Sequence, residues 1–187
     1  MDFLHTLSQK ATLAYNSIIH KLDASGSAYS ISISHAKIHE GNSYIIQEGI
    51  TLNNASKEYL ITTPDTSSRA HLTFEILGSL DTSFSLTEGS EKTGGTEMTP
   101  YNRNRNSDNE SVLTFTHTPS GSEGSSTELL SAKFGNASGV LGSGGIGQNR
   151  TSRHELILQP NESYLLTVTA LSANDNNITV TFDWYEV

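Results

Sequence analysis

Apolar residues fall at two different spacings along this chain. Over residues 2–22 they recur every three or four positions: Phe3, Leu4, Leu7, Ala11, Ala14, Tyr15, Ile18, Ile19 and Leu22. That spacing puts one apolar stripe on an α-helix. Asp2 stands where an N-cap or first-turn acid belongs, and "DASGS", Asp23 to Ser27, ends the run with small and polar residues. Leu4, Ala11 and Ile18 repeat every seven, but three imperfect heptads are short for a free coiled coil. An isolated helix of this length is marginal in water, so its stripe needs a cover. The cover is either its own domain, a partner or further copies of itself.

After Gly26 the period becomes two. Tyr29, Ile31 and Ile33 alternate with serines, a pattern that predicts a strand running into a turn through His35 and His39. The same alternation marks Leu72–Ile76, Phe84–Leu86, Leu113–Phe115, Leu156–Leu158, Leu166–Ala170 and Ile178–Trp184. Less regular strands are predicted over Tyr44–Gln47, Glu58–Thr62 and Glu128–Phe134. Strands with one wet and one dry face pack as two antiparallel sheets. The expected fold is therefore all-β, an antiparallel β-sandwich of jelly-roll type with an N-terminal α-helical arm. Residues 1–26 form the arm and 27–187 the sandwich. "QPNESYLLTV" followed by "NDNNITVTFDW" predicts a closing hairpin.

Two connections are long, at residues 88–110 and 135–153. Loops beyond ~12–15 residues are usually functional or disordered. Four of the five arginines lie near their ends: Arg103 and Arg105 in the first, Arg150 and Arg153 in the second.

Charge narrows what those arginines meet. Twenty acids against 11 bases leave a net −9, which opposes a phosphate backbone, and only Tyr101 is an aromatic close by. Nucleic acid is not the expected partner. Guanidinium forks also pair with carboxylates across protein contacts. An acidic protein meeting copies of itself supplies such acids, so a subunit contact is expected, with internal Arg–carboxylate bonds as the alternative. Cysteine is absent, which excludes disulfides and thiol chemistry. No apolar run approaches the ~20 residues of a membrane span, and the N-terminus lacks the basic leader of a signal peptide.

Motifs for chemistry are weak. "GSGGIG", Gly142 to Gly147, has dinucleotide-type spacing, but loop and strand follow it where a helix amide cradle is needed. No cofactor is expected. His35 and His39 are a metal-type pair only on a helix, and the stretch reads as strand into turn, so no metal is expected. Asp175 among asparagines offers too little charge for calcium and reads as a turn. Glu75, Glu155 and Asp183 stand on solvent faces with nothing in the sequence to link them as a catalytic pair. No nucleophile elbow appears, and the chain is not expected to be an enzyme.

The order of several segments carries a resemblance. "TPYNRNRNS", "LTFTHTPS", "ELLSAKFG", a glycine-rich stretch, "RHELILQPNESYLLTVTA" and "ITVTFDWYEV" follow one another over residues 36–187. In this they resemble tailed-bacteriophage capsid decoration, or cement, proteins; "YNRNRNS" and "DWYE" are the most specific pieces, and the N-terminal helix falls outside. The resemblance implies a jelly roll, oligomeric and often trimeric, on the exterior of a phage head, made in the bacterial cytoplasm. It implies the major capsid protein as partner and brings no catalytic residues. The expected contact residues are Tyr101, Arg103, Arg105, Arg150 and Arg153 on the body, with Leu4, Leu7, Ala11, Ile18 and Leu22 on the arm. The alternative is a receptor- or glycan-binding β-sandwich module of a phage tail or fibre, using Tyr101 or Tyr185.

Overall fold

The computed structural model describes residues 20–22, 28–30, 32–135, 147–150 and 155–187. A short pair, β1 (His20–Leu22) and β2 (Ala28–Ser30), precedes helix α1 (Ile33–Glu40). Then come β3 (Ser43–Leu52), β4 (Ser56–Thr62), β5 (Ala70–Gly78), β6 (Thr82–Glu88), β7 (Thr96–Met98) and β8 (Tyr101–Asn102). The last six strands are β9 (Thr114–His117), β10 (Thr127–Phe134), β11 (Gly147–Arg150), β12 (Leu156–Ile157), β13 (Ser163–Ala170) and β14 (Asn176–Glu186).

One sheet has the order β11-β5-β14-β3-β8 and the other β10-β6-β13-β4-β9-β7, with β12 pairing β5 outside the first path. All pairings are antiparallel among the described strands. The chain crosses between sheets at almost every step. β3, β5, β11 and β14 lie in the first, and β4, β6, β10 and β13 in the second. β14 fits between β3 and β5, as β13 fits between β4 and β6. This is the double winding of a jelly roll.

Strict alternation puts Ile178, Val180, Phe182 and Trp184 of β14 inside, each essentially buried. Their aromatic neighbours come from both sheets. Phe115 lies 5.2 Å from Phe182 and 4.7 Å from Trp184, and Tyr59 lies 5.5 Å from Phe182. Each such side chain contributes roughly 1.5–3 kcal/mol by leaving water. An ion pair also links the two sheets, Lys57 Nζ of β4 to Glu48 Oε1 of β3 at 2.9 Å.

Several expectations change. The helix of residues 2–22 lies almost wholly outside the described residues, but its last turn does not survive: His20–Leu22 is a strand, paired with Ala28–Ser30. Leu22 therefore belongs to a strand. The strand predicted from Tyr29 stops at Ser30, and Ile33–Glu40 is a helix. Its ends explain why. Ser32 caps the N-terminus by accepting from His35 N, and Gly41 takes φ 75° at the C-terminus. There Gly41 N donates to Ile38 O and Asn42 N to Lys37 O. A Cβ on Gly41 meets Ser107 Oγ, so glycine is required twice over. The closing hairpin is not a hairpin: β13 and β14 sit in different sheets, and the "ANDNN" turn arches between them. Asn176 braces that arch from a fully buried position, accepting from Leu80 N at 2.9 Å and donating to Thr82 Oγ1 at 2.9 Å. Finally, the long connections carry strands of their own, β7 and β8 in the first and β11 in the second, where Gly147 opens a strand directly.

Candidate interaction surface

The segment "TPYNRNRNS" is ordered by its asparagines. Asn102 is buried, and its Nδ2 donates to Gly41 O (2.8 Å) and Asn109 O (3.0 Å). Its Oδ1 accepts from Asn104 N at 2.9 Å. Asn104 repeats the device, accepting from Asn106 N and donating through Nδ2 to His39 O at 3.1 Å. Asparagine and aspartate stabilise turns through such local side-chain bonds. The loop is thereby bolted to α1 and to β3, where Arg103 N donates to Ser43 O at 2.8 Å.

Of the two arginines between those asparagines, Arg103 reaches out to β14, whereas Arg105 folds back, its Nη1 donating to Asn102 O at 3.4 Å. Arg103 Nη1 reaches both oxygens of Asp183, at 2.9 and 2.8 Å. Asp183 is on the outward row of β14. Burial pushes its carboxyl up; the Arg103 charge and hydrogen bond pull it down but do not cancel the rise. Arg105 stands 5.9 Å from the ring centre of Tyr101, which is 58% exposed.

Two residues along the same row of β14, Tyr185 lies opposite His71 of β5, with rings stacked at 4.6 Å. Both meet Glu155. Tyr185 donates to Glu155 Oε1 at 2.8 Å, and His71 Nδ1 lies 2.5 Å from the same oxygen. Burial raises the Glu155 carboxyl, but bonds from His71 and Tyr185 outweigh it and leave it below the usual value. Tyr185 is pushed up to about 12, by burial and then by Glu155. The carboxylates that the sequence left unlinked, Glu155 and Asp183, thus stand on one sheet face, each with its own basic partner.

The expected contact residues divide. Tyr101, Arg103 and Arg105 form one patch at the β8 edge. Arg150 lies at the other edge, on β11, in register with Glu75. Four strand spacings separate the edges, about 19 Å. Arg153, Leu4, Leu7, Ala11 and Ile18 lie outside the described residues. Sequence reading missed the roles of Asn102 and Asn104 and the pairing of His71 with Glu155. The repeated Asn in "YNRNRN" was a usable signal for the first two; the last two meet only through register.

The outer face of the second sheet is different. Ser83, Ser85, Ser131, Lys133, Thr167 and Thr169 line a shallow hollow of about 240 Å³. Among the described residues no cluster of three metal-ligating side chains occurs, and no helix is long and apolar enough to cross a membrane. No protein-family model matches the chain, and no curated protein matches it in sequence.

Proposed function

We propose that this protein is an adhesive structural module, a decoration protein that binds the outside of a phage head and holds capsid subunits together. The observation that carries the binding role is Tyr101, largely exposed with Arg105 beside its ring, on a loop whose backbone Asn102 fixes from inside. Tyr and Arg dominate the residues that hold protein interfaces together. A loop ordered before contact loses less entropy on binding. The class of partner, the major capsid protein, comes from the resemblance of the segments over residues 36–187. In this reading copies assemble as a homotrimer, and several weak sites engage at once. The arm residues Leu4, Leu7, Ala11 and Ile18 cover apolar surface on a neighbour or on the shell.

Co-sedimentation with phage heads lacking the protein tests this. Tyr101→Ala with Arg105→Ala lowers attachment at least about tenfold, the effect of losing one interface anchor worth ~1.4 kcal/mol or more. The melting temperature stays within a degree or two. Wild-type protein that shows no affinity for heads at any concentration defeats the reading.

The exposed Tyr101 ring beside polar groups also favours a second reading, a glycan-binding module. Stacking on a sugar uses the same apolar ring face with a polar rim. Binding to immobilised glycans by a protein indifferent to heads selects it.

A further inference from the structure

The helix absent from the expected secondary structure brings two histidines together. His35 and His39 are one turn apart on α1, and their Nε2 atoms lie 3.0 Å from each other. Their rings meet edge to face at 4.8 Å. Both side chains are exposed, so water and ions reach them.

That separation is a chelating bite. A transition ion bound by imidazole nitrogens has metal–nitrogen distances of about 2.0–2.1 Å, and angles of about 90–109° then place the nitrogens about 2.9–3.4 Å apart. The histidines already stand in that range. In the hydrogen bond between them one Nε2 donates and the other accepts; for both to ligate an ion the donor ring takes its other tautomer, its proton carried on Nδ1 through solvent exchange, so that both Nε2 lone pairs face the metal.

The helix is held against movement. Ala36 is buried beneath it, and α1 packs on β3 and β14. Ser32 and Gly41 cap its two ends. Asn104 and Asn109 donate to the carbonyls of His39 and Glu40. Lys37 Nζ holds the Glu40 carboxylate at 2.7 Å, which occupies the nearest acid on the helix. The two imidazoles are therefore the donor set, and they are mounted on a rigid element.

We propose that His35 and His39 form an open two-nitrogen chelate for a borderline divalent transition ion such as zinc, nickel or copper, with water completing the coordination. Imidazole donors suit these ions, whereas calcium and magnesium prefer oxygen.

Zinc chloride titrated into the full chain is the test, read by calorimetry and by the imidazole resonances of all seven histidines. One ion binds per chain, and the His35 and His39 signals move together. His35→Ala or His39→Ala each weakens binding at least about tenfold, because the second nitrogen of a chelate binds as an intramolecular step. His117→Ala, outside the helix, leaves binding unchanged. Circular dichroism of each variant confirms that it is folded. Two results overturn the proposal: no movement of the His35 and His39 signals at millimolar zinc, or equal affinity in the double variant His35→Ala, His39→Ala.

Discussion

The two faces of β14 show how one strand serves two purposes. Its inward row, Ile178, Val180, Phe182, Trp184 and Glu186, is buried between the sheets. Its outward row holds Asp183 and Tyr185, each tied to ionisable partners from other elements. Both rows contain a carboxylate, and the two are satisfied differently. Inward Glu186 takes neutral donors: Ser111 Oγ at 2.7 Å, Trp184 Nε1 at 3.1 Å and Val112 N at 3.1 Å. Outward Asp183 takes a guanidinium, with both side chains more than one-third exposed. A buried donor or acceptor that loses its partner is costly, whereas an exposed ion pair contributes little because water replaces it. The inner row therefore holds the fold together, and the outer row is free to be chosen for contact.

Substitutions on the two rows should separate widely. Trp184→Ala removes a fully buried indole stacked on Tyr44 and in contact with Phe115. The expected loss is about 3–5 kcal/mol of stability by denaturant unfolding. A loss under 1 kcal/mol would mean that the inner row is not the core. Glu186→Ala comes next. It removes the one oxygen, Oε1, that accepts from Ser111, Trp184 and Val112 alike, and the Val112 N–H is left without an acceptor. The cost expected from the same unfolding curves is about 1–3 kcal/mol. Arg103→Ala sits on the other row and should cost about 0.2–1 kcal/mol in the same assay. A cost matching Glu186→Ala would erase the distinction between the rows.

Much of this contrast was legible in the sequence, for a physical reason. Period-two alternation records which side of a sheet is dry, so the inward row of β14 and the sandwich of two sheets follow from residues such as Ile178, Val180 and Phe182. The jelly-roll winding agrees with expectation as well. What alternation does not record is which strands are neighbours. His71 and Glu155 are 84 positions apart and meet only because β5 lies beside β14 and β12. The same limit turned the arch between β13 and β14 into a predicted hairpin. Helix α1 was hidden for another reason. Ile33, Ala36 and Ile38 give it no clean apolar stripe, and its formation rests on the caps at Ser32 and Gly41 and on bonds from a loop some 65 residues away. In "YNRNRN" the arginines drew the eye through their charge, while the asparagines held the loop through bonds that charge counting does not see.

The outer row itself contains the smallest contrast, between two carboxylates on one face with opposite shifts. Glu155 is lowered, so it contributes stability above its unfolded value, about 4.3, and loses that contribution as pH falls through its folded value. Asp183 is raised in spite of Arg103. Its contribution is fully present below its unfolded value, about 3.9, and is lost as pH rises through its folded value. Melting curves between pH 3 and pH 7 should therefore move in opposite directions for the two isosteric variants. Glu155→Gln flattens the fall in stability on acidification below about pH 4.3, because the group that loses its bonds there is gone. Asp183→Asn steepens that fall, because it removes a group that favours the folded chain in acid. Both groups are exposed enough for water to screen them, so each change is a few tenths of a kcal/mol. Shifts of the same sign in both variants would show that Arg103 and the Tyr185–His71 pair hold their acids in the same way, and that the face is a uniform ionic surface with no division of roles.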